Sequence, residues 1–298
     1  LLTNTVTAAA GDLTATDSCS VRVEDSYTPV PIPDPDPDPT PDPGGEDDDD
    51  PEGLNTEDHV AYLIGFTDGT IRPEASITRA EVATIFFRLL TDGAREQYWS
   101  QTNPYPDVDS DDWYNNAIST LTNMGILTGY DNGSFGPTDS ITRAEFTTIA
   151  VRFFESAYDH GYTGGYSDVD GTEWYARYIA AATALGLVEG MPDGTFRPLA
   201  SITRAEAATI VNRTLGRAPH EDHLLPWAQM ITWPDNSNAQ AWYYEAMQEA
   251  TNSHDYTWTE EDGQTVEGWT EKLEERDWAA LEREWSNANS APGGEVMD

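Results

Sequence analysis

Three arginines recur in one chemical setting. The pentapeptide Ile-Thr-Arg-Ala-Glu occupies residues 77–81, 141–145 and 202–206. A Thr followed three residues later by Glu, just ahead of an apolar run, is a capping box at a helix start. Thr78, Thr142 and Thr203 are therefore expected as N-caps, with Glu81, Glu145 and Glu206 reaching back to them. Arg79, Arg143 and Arg204 then fall in the first helical turn, where the helix already carries partial positive charge and a cation is disfavoured. Three helices that each place an Arg there point to an anion that all three recognise. The competing reading pairs these arginines with nearby carboxylates. If an anion is the reason, replacing one by Ala should leave stability unchanged or slightly raised and should weaken binding.

The elements that must position these residues form an internal repeat. Each box follows a glycine turn and a proline. The turns read Gly65-Phe66-Thr67-Asp68-Gly69-Thr70-Ile71-Arg72-Pro73, Gly129-Tyr130-Asp131-Asn132-Gly133-Ser134-Phe135-Gly136-Pro137 and Gly190-Met191-Pro192-Asp193-Gly194-Thr195-Phe196-Arg197-Pro198. Asp-Gly and Asn-Gly are turn dipeptides that need positive φ. The helices after the boxes carry apolar residues at helical period: Ile85, Phe86 and Leu89, then Ile149, Phe153 and Phe154, then Ile210, Val211 and Leu215. A second helix leads each unit. Tyr105-Pro106-Asp107-Val108 precedes Trp113-Tyr114, and Tyr166-Ser167-Asp168-Val169 precedes Trp174-Tyr175, with stops at Gly125 and Gly186. The first unit has only a stub, Leu54 to Tyr62, and its leading helix stands at the far end, where Trp233-Pro234-Asp235 precedes Trp242-Tyr243-Tyr244. Residues 227–256 are thus expected to close a ring beside the first unit, because an open array would expose two apolar helix faces.

Composition narrows the function classes. The chain has 298 residues and a net charge of −39, with 54 acidic residues against 15 basic. Such a chain is repelled by nucleic acid and by anionic membranes, so an anionic ligand must be caught by locally placed arginines. No apolar run approaches the length of a membrane span. Cys19 is alone, so no intramolecular disulfide forms. The alternation in residues 1–29 suggests the last strands of a β-rich domain lying upstream, and the chain reads as the C-terminal part of a longer protein. Residues 30–53 alternate Pro and Asp and then run acidic, which makes a stiff, solvated spacer. Residues 54–256 carry the repeats, divided near 54–100, 101–162 and 163–218, with 219–256 closing the ring. In residues 257–298, Trp269, Leu273, Trp278, Leu281 and Trp285 suggest one amphipathic helix and a tail.

These motifs closely resemble the S-layer homology family of bacterial surface proteins. The resemblance rests on three Ile-Thr-Arg-Ala-Glu boxes, three Gly-x-x-Asp/Asn-Gly-Ser/Thr turns and three aromatic-x-Asp…Trp helix starts, over about two-thirds of the chain. It implies an all-α, pseudo-threefold helical bundle with short turn and β segments. It further implies a non-covalent anchor that binds secondary cell-wall polysaccharide, often pyruvylated, in grooves between repeats. The implied ligand contacts are Arg79, Arg143 and Arg204, the turn residues Asp68, Gly69, Asn132, Gly133, Asp193 and Gly194, and Trp113, Trp174 and Trp242. A pyruvyl ketal carries a carboxylate on a sugar, which a helix N-terminus and a guanidinium suit. An indole covers the apolar sugar face and Gly admits close backbone approach. Two departures stand out: Gly136 replaces the Arg found at Arg72 and Arg197, and Asn236 stands where Val108 and Val169 do. One groove is therefore expected to be degenerate.

Other chemistry finds little support. Asp107-Val-Asp109-Ser-Asp111 begins like a calcium loop, but Asp112 and Ile118 stand where Gly and Glu are needed. His220 and His223 lack a third ligand in sequence. No carboxylate pair is marked for glycoside hydrolysis, and no catalytic triad pattern or phosphate loop is present. The expectation is a non-enzymatic module at the cell surface, without cofactor or metal, whose partner is a wall polymer. Two rival readings are a protein–protein assembly module of a surface lattice and the anchor of an upstream extracellular enzyme.

Overall fold

The computed structural model describes residues 2–10, 13–21, 51–154, 165–261 and 263–288. The Pro/Asp spacer up to residue 50 and the tail from 289 lie outside the described residues. The chain divides into two compact units, Leu1–Ile32 and Pro33–Asp298. The first is an antiparallel hairpin, β1 (Leu2–Ala10) with β2 (Leu13–Val21), in which Leu2 faces Val21 and Ala10 faces Leu13.

The second unit is mainly helical. Its described α-helices are α1 (Arg79–Leu89), α2 (Asp92–Tyr98), α3 (Asn115–Asn123), α4 (Arg143–Val151), α5 (Ala176–Ala184), α6 (Arg204–Thr214), α7 (Tyr244–Thr251) and α8 (Trp278–Ala288). α1, α4 and α6 each begin at a complete capping box: the Thr side chain accepts from the Glu backbone N–H, and the Glu side chain accepts from the Thr backbone. The apolar stripes read from the sequence are all buried, and Phe86 stacks on Phe153 with centroids 5.1 Å apart. Gly125 and Gly186 end α3 and α5 at φ 84° and 70°, the left-handed conformation that closes a helix.

Contacts between the repeats run in a cycle. Ile77 N–H donates to Ile202 C=O (3.3 Å), Ile202 N–H to Ile141 C=O (3.0 Å), and Ile141 N–H to Ile77 C=O (3.1 Å). The leading helices follow the same order: α3 packs on α1, α5 on α4 and α7 on α6. The segment before α7 also reaches the first turn. The Asp235 carboxylate accepts from the backbone N–H groups of Ile71 (3.0 Å) and Arg72 (2.7 Å), and the Trp233 ring lies against Gly65, where a Cβ would stand 2.1 Å from it.

The C-terminal region differs from expectation. An antiparallel hairpin, β3 (His254–Glu261) with β4 (Gln264–Lys272), precedes the helix, so a single amphipathic helix does not occupy the segment from 257. Trp269 and Leu273 are four residues apart and mimic a helical stripe, but Trp269 lies on β4 and Leu273 just beyond it. The stronger local signal is period two: Thr257 and Thr259 favour a strand, and Gly263 supplies the turn at φ 85°. Only Trp278, Leu281 and Trp285 share α8, with Trp285 set edge-on against Phe87 at 5.7 Å.

Candidate groove residues at the repeat junctions

Each of the three arginines leaves its own helix and enters the next repeat. Arg79 donates from Nε to Phe135 C=O (2.8 Å), from Nη1 to Glu145 Oε1 (2.9 Å) and from Nη2 to Thr128 C=O (3.0 Å). Arg143 makes the same set to Phe196 C=O, Glu206 Oε1 and Glu189 C=O. Arg204 does so to Ile71 C=O, Glu81 Oε1 and Ile64 C=O. Each capping-box glutamate therefore has two tasks. Its Oε2 caps its own helix, and its Oε1 takes the arginine of the preceding repeat. The three arginines are 3–7 % exposed. A buried guanidinium is tolerated because two carbonyls and a carboxylate surround it, which resolves the apparent conflict with the helix dipole. This geometry reverses the expectation that Ala would be harmless to stability, since each truncation removes the partner of a carboxylate and of two carbonyls.

The helix starts are also saturated. Arg79 and Ala80 N–H donate to Asp139 and Pro137 C=O, Arg143 and Ala144 N–H to Ala200 and Pro198 C=O, and Arg204 and Ala205 N–H to Ala75 and Pro73 C=O. The N–H groups that the sequence offered to an anion are occupied by the neighbouring repeat.

The glycine turns lie outside these buried staples. In each turn one side-chain oxygen of Asp68, Asn132 or Asp193 accepts from both the backbone and the hydroxyl of Thr70, Ser134 or Thr195. Gly69, Gly133 and Gly194 hold φ of 79°, 85° and 79°, and a Cβ there would meet nothing within 4 Å. Their role in the chain itself is thus conformational. Three residues on, the backbone is left-handed again, at Arg72 (φ 52°), Gly136 (φ 69°) and Arg197 (φ 60°). This conformation aims two successive N–H groups at one carboxylate, forming a small anion nest. Asp235 fills the first, Asp107 the second and Asp168 the third.

Arg72 and Arg197 accept the strain of that conformation with a side chain that the backbone does not require. Their side chains are 47 % and 39 % exposed and pair with Asp68 and Asp193. These two residues were not among the expected contacts, although the Gly136 departure had marked their position. Arg72 lies over the Phe66 ring at 3.9 Å, and Arg204 lies over it at 4.9 Å. Burial lowers the pKa of Arg204; Glu81 opposes that, and Arg72 adds to the lowering by repulsion. In the second turn Tyr130 fills the corresponding space, bonded to Asp139 and 2.6 Å from where a Gly136 Cβ would stand.

Trp113 and Trp174 are 60 % and 54 % exposed, and Trp242 is half-buried. Each stands edge-on to the following Tyr, at 5.2, 5.3 and 5.5 Å. Those tyrosines, Tyr114, Tyr175 and Tyr243, have raised pKa values, first from burial and then from nearby carboxylates that include Asp107, Asp168 and Asp235 respectively. The Trp-Tyr pairs therefore flank the nests. The arginines regroup: Arg79 belongs with the second turn, Arg143 with the third and Arg204 with the first. Of the histidines noted in sequence, His223 pairs with Glu261 at 3.0 Å. Among the described residues no helix is long and apolar enough to cross a membrane.

Comparison with known proteins fits this organisation. The model of the S-layer homology domain family matches residues 63–83, 104–147 and 165–208. Cell surface glycoprotein 1 of Acetivibrio thermocellus is 39 % identical over 172 residues, covering 54 % of this chain and 7 % of that protein. The cellulosome-anchoring protein of the same organism is 34 % identical over 220 residues, covering 72 % of this chain and 47 % of that protein. An amylopullulanase of Thermoanaerobacterium thermosulfurigenes is 38 % identical over 152 residues, 49 % of this chain and 8 % of that protein. The chain thus spans less than half the length of each of these relatives.

Proposed function

The repeat segments between residues 63 and 208 belong to the S-layer homology domain family, and from that premise we propose that this chain anchors a protein non-covalently to the bacterial cell wall, at the cell surface. Its ligand is a secondary wall polysaccharide carrying acidic, pyruvyl-type substituents. It acts by binding and not by catalysis, which agrees with an enzyme-named relative matching over only 8 % of its own length. The repeats form a closed pseudo-threefold bundle, a reading supported by the cyclic Ile77–Ile202–Ile141 hydrogen bonds. Residues 227–256 complete the first repeat.

The observation that carries the proposal is the recurrence of one surface arrangement at three junctions. In each, a left-handed glycine turn, a Trp-Tyr pair beside a carboxylate-filled nest and a buried arginine behind them come together. Asp68, Asn132, Asp193 and the neighbouring glycines offer polar rims, and Trp113, Trp174 and Trp242 offer ring faces for a sugar. Arg79, Arg143 and Arg204, each paired with a glutamate, hold the neighbouring turn in place behind each groove. Direct charge-assisted bonds to a ligand carboxylate fall to Arg72 and Arg197, the exposed arginines of the first and third turns. The second groove, with Gly136, is the weak one.

Co-sedimentation with purified, protein-free cell walls tests the proposal. The chain is expected to bind native walls, and chemical removal of pyruvyl groups is expected to weaken binding at least tenfold. Undiminished binding to depyruvylated walls would remove the carboxylate from the account. Self-association without any wall binding would favour a lattice-assembly module instead.

A further inference from the structure

Outside the repeat motifs, four side chains from distant parts of the sequence converge in the interior. His59 lies in the stub before the first turn, Glu249 on α7, His254 at the start of β3 and Glu267 on β4. All four are buried, and one ligand-type atom from each lies within 4.8 Å of the others. His59 Nδ1 stands 3.2 Å from His254 Nε2, 3.2 Å from Glu267 Oε2 and 3.3 Å from Glu249 Oε1. His254 Nε2 stands 3.4 Å from Glu249 Oε2 and 3.9 Å from Glu267 Oε2.

Four of these separations, 3.2–3.4 Å, lie close to the edges of a known shape, with Glu249 presenting Oε1 to His59 and Oε2 to His254. The fifth, His254 to Glu267, is longer at 3.9 Å. An ion held tetrahedrally at about 2.0–2.1 Å from nitrogen and oxygen has ligand-to-ligand edges of about 3.3–3.4 Å. The remaining bonds orient the same atoms inward. His254 Nδ1 donates to Asn252 C=O at 2.9 Å, which leaves the Nε2 lone pair facing the centre. Glu267 Oε1 accepts from Ala218 N–H, and Glu249 Oε1 from Arg217. The second oxygens, Glu249 Oε2 and Glu267 Oε2, are buried and face the two imidazoles. Rings hold the imidazoles in place: Tyr256 stacks on His59 at 3.9 Å and Trp269 on His254 at 3.8 Å. Two buried carboxylates share Arg217 and two imidazoles, a set of anionic and neutral donors that a divalent cation can join without leaving a charge unpaired. A cleft of about 200 Å³, lined by His59, His254, Asp58 and Tyr256, gives a way in.

We infer that His59, Glu249, His254 and Glu267 form a structural site for one divalent ion of the zinc class. Two imidazoles and two carboxylates suit zinc, and a closed four-ligand set without an open position suits structure and not catalysis. The ion ties the stub, α7 and the C-terminal hairpin together where the closing segment meets the start of the repeats.

The test uses the full chain. After incubation with Zn²⁺ and removal of excess metal, elemental analysis should find one equivalent per chain. Co²⁺ loading should give the intense visible bands of a tetrahedral centre. Chelation should lower the melting midpoint by about 10 °C, and Zn²⁺ should restore it. Glu267→Gln and His254→Ala should lose the equivalent of metal, whereas a His220→Ala/His223→Ala double variant should keep it. Should the ligand variants fail to fold, the Co²⁺ spectrum and the chelation shift of the unaltered chain decide alone. Less than a tenth of an equivalent of zinc, or a Co²⁺ spectrum of octahedral type, would overturn the inference. So would zinc that stays in the ligand variants but leaves with His220 and His223.

Discussion

Two sets of arginines meet at the repeat junctions and do different work. The inner set, Arg79, Arg143 and Arg204, lies sealed among carbonyls and a glutamate. The outer set, Arg72 and Arg197, is partly exposed on a strained backbone and pairs with the exposed Asp68 and Asp193. The inner guanidiniums could take a ligand only by giving up fixed partners in a dry site, and their geometry is that of ties between neighbouring repeats. The outer ones exchange partners at little cost, because an exposed ion pair contributes about 0–1 kcal/mol. A motif shared by three repeats thus need not be the residue that touches the ligand. On the proposed function, the residue that varies between them, Arg at two turns and Gly136 at the third, is where recognition would be adjusted.

Three substitutions would break or sharpen that contrast. Arg143→Ala leaves Glu206 buried with an unpaired oxygen and strands two carbonyls, and is expected to cost about 3–5 kcal/mol in guanidinium unfolding. A loss below about 1 kcal/mol would place Arg143 with the outer set. Asp235→Ala empties the nest under Arg72 and removes the link from the closing segment to the first turn. It is expected to cost about 2 kcal/mol and to weaken wall binding through Arg72 without touching the inner set. Normal binding with lowered stability would separate the nest from recognition. Arg72→Gly relieves the left-handed strain and is expected to raise stability by about 1 kcal/mol while wall co-sedimentation falls several-fold. If stability rises and binding is intact, the outer arginines are not the contact.

Much of this was legible in the sequence, for reasons that differ by element. The capping boxes could be read because their parts are local: Thr and Glu three residues apart have few other uses ahead of an apolar run. The glycine stops and the buried stripes followed from period and turn chemistry in the same way. The direction of Arg79, Arg143 and Arg204 could not be read, because their partners, such as Phe135 C=O and Glu145 for Arg79, belong to the next repeat. Spacing within one repeat says nothing about which neighbour fills the space above a helix start. The C-terminal hairpin was hidden by Trp269 and Leu273, whose separation fits a helix as well as a strand and its exit. The four buried His and Glu residues left no local signal, since His59 is brought to Glu249, His254 and Glu267 only by tertiary structure. The more conspicuous His220 and His223 drew attention in their place.

The link from Asp235 to the first turn has a consequence for the order of events in a growing chain. The N–H groups of Ile71 and Arg72 are made early and their carboxylate is made 164 residues later. At roughly 5–20 residues per second, that interval is about 10–30 s. A solenoid can settle one unit at a time as it emerges, but the nest in this chain's first turn stays without its carboxylate until the last segment is made. For that time its apolar helix faces are open to neighbouring chains. The same imbalance of charge that repels nucleic acid gives every unfinished copy the same sign. Mutual repulsion between nascent chains then acts through the interval before Asp235 reaches the first turn.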